Sequence, residues 1–147
     1  FFANLIQQES GFKSHAVSPA GAQGIAQFMP RIARAYGLEN PFEPVHSLSV
    51  SARFLRELLD QFGNVGLAAA AYNAGPNNIR KARDLAKTMG FDPNKWFDNV
   101  EMATAKLFGI ETFLYVRSVY KYYVVYDIRQ RNIPIFQENL IPDRLIK

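Results

Sequence analysis

The apolar positions recur almost everywhere at helical spacing. Phe2, Leu5, Ile6 and Glu9 follow the i, i+3, i+4, i+7 rhythm of a buried helical stripe. Gly11 follows the pattern and predicts its end. A loop is expected from Phe12 to Pro19, then a short helix around Ala22 to Phe28, flanked by Gly21 and Gly24. Pro30 should open another helix, to about Tyr36, closed by Gly37. Glu39 to Pro44 reads as a loop. A longer helix is predicted from about His46 to Phe62, with Leu48, Ala52, Leu55, Leu59 and Phe62 as its stripe and Gly63 as its stop.

The next helix should span about Val65 to Ala74. Four consecutive alanines, Ala68 to Ala71, let a neighbouring helix approach closely. Gly75-Pro76 breaks it, and Pro76 suits the first position of a helix reaching about Met89. Asp92-Pro93-Asn94 is a helix-start signal ahead of Trp96 and Phe97. A last long helix is predicted from about Ile110 to Ile128, with Phe113, Val116, Tyr120, Tyr123 and Val124 as its apolar stripe. The fold class is therefore all-α with little strand. One domain is expected over residues 1–128. A tail over 129–147 should drape over that domain or contact something else.

Composition narrows this picture. The chain has 147 residues, 48% hydrophobic and 20% charged, enough for one packed core. No apolar run approaches a membrane span. There is no cysteine, so disulfide and thiol chemistry are excluded. Net charge is +4, spread over residues such as Arg31, Arg53, Arg80 and Arg117. That favours some polyanion without choosing one. No zinc-finger or RNA-binding signature is visible, so nucleic acid is not expected as a partner. The chain opens on Phe1 inside a helical pattern, without initiator Met or signal peptide. It reads as a fragment or processed form that lacks the first turns of its opening helix.

The stripe of the first helix contains the most informative residue. Its fourth position should be apolar, and it is Glu9. Burial and the negative end of the helix dipole both disfavour the charged form, so its pKa should rise. An acid protonated near neutral pH is what a glycosidic oxygen needs as proton donor. By itself, a glutamate here fits pairing with a cation or exposure to solvent better than catalysis.

Three further segments stand out. In Gly21 to Pro30, two glycines let backbone approach a packed helix or a ligand, and Gln27 sets an amide in an apolar run. Alone, this fits a tight helix–helix corner with Gln27 bonded to backbone better than a sugar site. Tyr72 and Asn73 lie among small residues at a helix end, as a cap or as a hydroxyl aimed into a cleft. Glu111, Tyr115, Ser118 and Tyr122 share one helix face, suited to sugar rings or to plain solvation. His15 and His46 lack ligand spacing, so no metal or other cofactor is expected. Trp96 is expected in the core.

The order of these segments carries a resemblance. Glu9-Ser10, then Gly24-Ile25-Ala26-Gln27-Phe28-Met29-Pro30, then Ala71-Tyr72-Asn73-Ala74-Gly75, then Glu111-Thr112 with Tyr115-Val116, resembles the catalytic domain of family 1 lytic transglycosylases, the SLT domain. It covers roughly Phe2 to Tyr126 and is most similar to the membrane-associated branch. The resemblance implies a lysozyme-like fold close to goose-type lysozyme. It implies peptidoglycan glycan strands as substrate, cleaved between N-acetylmuramic acid and N-acetylglucosamine with closure of a 1,6-anhydro ring.

It makes Glu9 the sole catalytic acid, and Ser18, Gln27, Met29, Tyr72, Asn73, Glu111 and Tyr115 the substrate-binding residues. Ala26 stands where many members carry Met, implying a more open groove wall. The segment between Gly75 and Glu111 is longer than in compact members. The setting implied is the periplasm or cell envelope, or a phage virion acting there, with a monomer expected and any membrane association left to missing flanking regions. Two alternatives share these residues. One is a lysozyme-type hydrolase using Glu39, Glu43 or Glu111 as a second carboxylate. The other is a non-catalytic wall-binding or structural module of a virion or secretion machine.

Overall fold

The structure, a computed structural model, describes residues 1–130. The predicted tail lies outside them except for Arg129 and Gln130, which belong to the last helix. Among the described residues seven α-helices run in order: α1 (Phe2–Ser10), α2 (Pro30–Ala35), α3 (Pro44–Phe62), α4 (Val65–Ala74), α5 (Pro76–Thr88), α6 (Glu101–Phe108) and α7 (Glu111–Gln130). Among the described residues there is no strand, only isolated antiparallel bridges from Gln23 to Val17 and to Phe28. The domain is all-α.

Local chemistry sets most boundaries. Gly11 ends α1 in the left-handed region at φ 61°, its N–H donating to Gln7 O. The Glu43 carboxylate accepts from the N–H groups of Val45 and His46, so α3 opens with Pro44, two residues earlier than predicted. Asn64 caps α4 in the same manner, through Leu67 N–H.

The core is built around α4. Leu67 to Ala71 are fully enclosed, and α3, α5 and α7 all pack on this helix. Alanines there allow helix backbones to come close. A Cβ added at Gly66 would lie 2.6 Å from Trp96 Cβ, so the indole rests directly on the α4 backbone. Trp96 is core, as expected. The first helix docks on α7 through fully buried Leu5 and Ile6, each burial contributing about 1.5–3 kcal/mol.

Four expectations are corrected. The segment from Ala22 to Phe28 is a chain of turns, not a helix. Gly24 and Gln27 both have positive φ, at 75° and 51°, which a right-handed helix excludes. The helix expected after Asp92 starts at Glu101, because Asp98 takes φ 58° and kinks the chain through Trp96–Val100. The buried face of α3 runs through Ser47, Val50, Ser51, Leu55, Leu58 and Phe62, leaving Ala52 exposed. On α7 the buried residues are Thr112, Tyr115, Val116 and Val119, while Tyr123 and Val124 face solvent. Only the first half of α7 lies against the core.

Candidate active site

Five helices and one loop converge on one cleft of about 460 Å³. Glu9 comes from the last turn of α1, and Ser18, Gln27 and Phe28 from the loop that follows. Met29 and Ile32 come from the start of α2, Phe54 from α3, Tyr72, Asn73 and Gly75 from the end of α4, and Glu111 from the first residue of α7. Every residue expected to be catalytic or substrate-binding lines this space except Tyr115, which is buried and bonded to Glu9; Ser118 and Tyr122, placed on the same face of α7, do not line it.

The Tyr115 hydroxyl donates to Glu9 Oε1 at 2.5 Å. Burial pushes the Glu9 carboxyl up to about 7, and the hydrogen bond from Tyr115 partly opposes this. Glu9 is therefore substantially protonated near neutral pH. Tyr115 is pushed well above the usual phenol range by burial, by the Glu9 charge and by its hydrogen bond to Glu9, so it remains a donor.

The loop beside Glu9 is stitched to its surroundings. Ser10 Oγ donates to Ile25 O at 2.7 Å. The Gln27 amide nitrogen donates to Gly24 O at 2.8 Å and Ala16 O at 3.2 Å. With its amino group turned to two carbonyls, Gln27 keeps its amide oxygen free of protein partners among the described residues. Gln27 is thus bonded to backbone, though in a turn and not in a helix–helix corner, and it also lines the cleft. Gly24 is required here, since a Cβ would lie 1.8 Å from Pro41 O.

Tyr72 turns out to be a clamp. Its hydroxyl donates to Ala26 O at 3.0 Å and lies 2.8 Å from Ser51 Oγ. A phenol has one proton, so Ser51 is the donor in the second bond. Burial raises the Tyr72 pKa. Phe54 and Phe28 flank its ring at centroid distances of 5.3 and 6.2 Å, making an apolar wall. Ala26 is fully buried and faces the core, so its small side chain does not open the groove wall as expected. The sequence reading missed Phe54 and Ser51. Ser47 and Ser51 carried a usable signal: two hydroxyls spaced i, i+4 among the buried residues of α3.

The three candidate second carboxylates sit differently. Glu39 is exposed and outside the cleft, and Glu43 is occupied as the cap of α3. Glu111 lines the cleft but is exposed. Among the described residues no group of His, Asp and Glu could hold a metal ion, and no helix is long and apolar enough to cross a membrane.

Fold and cleft together define a helical domain with a proton-retaining carboxyl at the base of an open, largely uncharged groove. Residues 1–97 match the family described as the transglycosylase SLT domain, and the chain belongs to that family. It is 34% identical over 107 residues to a protein named membrane-bound lytic murein transglycosylase F from Stutzerimonas stutzeri (strain A1501), covering 68% of this chain and 22% of the relative. It is 36% identical over 107 residues to a protein named transglycosylase from Enterobacteria phage PRD1, covering 73% and 37%. A Vibrio cholerae protein named membrane-bound lytic murein transglycosylase F is 26% identical over 160 residues, covering 94% and 30%. The chain therefore spans well under half the length of these relatives. Glu111 and Tyr115 lie beyond the residues matched to the family.

Proposed function

We infer that this domain is a lytic transglycosylase acting on the glycan strands of peptidoglycan in the cell envelope, with Glu9 as its one catalytic acid and base. The observation that carries this reading is the Glu9 carboxyl, held near pH 7 by burial at the floor of a cleft and gripped on one oxygen by Tyr115. With Oε1 accepting from Tyr115, Oε2 is the oxygen left to carry the proton. It donates that proton to the glycosidic oxygen as the bond breaks through an oxocarbenium-like transition state. The Glu9 carboxylate so formed takes the proton of the C6 hydroxyl of the same muramic sugar. The freed oxygen attacks C1 and closes a 1,6-anhydro ring, so no water is consumed.

The cleft wall suits a sugar chain. Phe28, Phe54 and Met29 offer apolar surface to C–H faces, while Ser18, Gln27 and Asn73 offer hydrogen bonds to substituents. The lining holds no Lys, Arg or His to compensate the burial of Glu9, which keeps its proton in place.

Glu111 supports a second reading. It shares the cleft with Glu9, and a carboxylate at about 5 Å from the acid in a retaining hydrolase, or at about 6.5–9.5 Å from it in an inverting one, would serve hydrolysis. Mass spectrometry of digested murein separates the two. Anhydro-terminated products are expected; fragments ending only in reducing sugars overturn the transglycosylase reading. Glu9→Gln should abolish murein clearing, and clearing retained by a folded variant overturns Glu9 as the catalytic acid; a wild-type protein that binds murein without clearing it would point to a non-catalytic module.

A further inference from the structure

Asn73 is held in one orientation by a residue outside the cleft. Thr112, at the second position of α7 and almost fully buried, donates its hydroxyl to Asn73 Oδ1 at 2.8 Å. No other acceptor takes the Thr112 hydroxyl among the described residues. Turning the amide over would place two donors face to face or strand the buried Thr112 proton, and a buried donor left without an acceptor is disfavoured. The amide is therefore fixed, with Oδ1 toward Thr112 and the amino group left over. That amino group has no protein partner among the described residues, and Asn73 lines the cleft. Gln27 is fixed in the opposite sense, its amino group on the carbonyls of Ala16 and Gly24 and its oxygen left over. The two side-chain amides of the cleft thus differ in polarity: Gln27 presents an acceptor and Asn73 a donor.

We propose that Thr112 is a positioning residue for substrate binding: it locks Asn73 as an N–H donor for a carbonyl oxygen, the acetamido carbonyl of the glycan. The proposal rests on the glycan-cleaving function given above. A donor aimed at an acetamido carbonyl contributes to holding the sugar in register over Glu9 and discriminates against a free amine at the same carbon. Thr112 acts through Asn73 and does not touch the substrate.

The test compares N-acetylated murein with chemically de-N-acetylated murein on the wild-type protein and on Thr112→Val and Thr112→Ser. Thr112→Val frees the amide to turn, so KM on acetylated murein should rise about tenfold, the value of one hydrogen bond of about 1.4 kcal/mol. The turnover number should change by less than about threefold, since Glu9 and Tyr115 are untouched. The preference for the acetylated substrate should shrink, and Thr112→Ser should restore it. An unchanged KM, an equal loss on both substrates, or a Ser variant that behaves like Val overturns the proposal. Should Thr112→Val fail to fold, Asn73→Asp decides. It keeps the bond to Thr112 but turns an anionic acceptor toward the substrate carbonyl, so its preference for acetylated murein should fall below that of Asn73→Ala. Equal preference in the two variants overturns the proposal. A wild-type protein that releases no glycan fragments would instead overturn the function on which the proposal rests.

Discussion

Tyr115 donates its hydroxyl to Glu9 across a sequence separation of 106, joining the last turn of α1 to the middle of the buried face of α7. This bond lowers the Glu9 pKa against the larger upward push of burial. Removing it with Tyr115→Phe should move the Glu9 pKa further up. The alkaline limb of kcat/KM against pH, expected near 7 in the wild type, should shift to higher pH. Activity at pH 6 should also fall by roughly tenfold or more, because the carboxyl loses the partner that orients it. A pH–rate profile of both proteins checks this. A limb that moves to lower pH would contradict the geometry.

Glu9→Gln tests burial separately from catalysis. The folded pKa of about 7 lies above the unfolded value of 4.5. The folded state therefore binds the proton more tightly than the unfolded one. Below pH 4.5 both states are protonated and Glu9 adds no penalty. As pH rises from 4.5 to 7, folding stability is lost, and above 7 the loss levels off at up to about 3 kcal/mol. Glutamine carries no charge at any of these values. The variant should be more heat-stable than the wild type at pH 8, with the gap closing at pH 4. Thermal melts at the two pH values measure it, and a pH-independent difference would argue against a buried acid.

Gly24→Ala should wreck the cleft without removing any polar side chain. The new methyl carbon would fall on Pro41 O, and φ 75° is disfavoured for alanine. A loss of about 3 kcal/mol or more is expected, with activity lost at temperatures where the protein still shows full helicity. Circular dichroism alongside murein clearing separates local from global damage.

Glu43→Ala should behave in the opposite way. Its carboxylate caps α3 and lies outside the cleft. Stability should fall by about 1 kcal/mol, read as a shift in denaturation midpoint, with cleavage rate per folded molecule unchanged. A selective loss of activity would revive Glu43 as a second catalytic carboxylate.

Much of this architecture is written in local sequence. The α4 boundaries are legible because Gly63 stops one helix, Asn64 caps the next and Gly75-Pro76 breaks it, all within a few residues. Glu9 is legible because an acid interrupts an apolar stripe. The errors fall where distant contacts decide. Two glycines around Ala22 suit a helix corner as well as a loop, and only the press of Pro41 against Gly24 selects the loop. The stripe on α7 was misread because Tyr123 and Val124 are apolar enough to be buried, yet the helix extends past the core that would bury them. Tyr72 looked like a group aimed at substrate. Its hydroxyl is taken by Ala26 and Ser51, partners 46 and 21 residues away, which no local pattern reveals.

The meeting of α1 and α7 also fixes when the acid acquires its chemistry. During synthesis Glu9 emerges from the ribosome long before Tyr115, and until the domain closes with α7 in place its carboxyl lacks both the Tyr115 hydroxyl and the full burial of the folded state. Over that interval it is an ordinary carboxylate, ionised at neutral pH and unable to hold a proton for a leaving group. A chain cut short before α7 would carry the same residue in the same inert state. On the role proposed for Glu9, completion of the fold is itself the activating event.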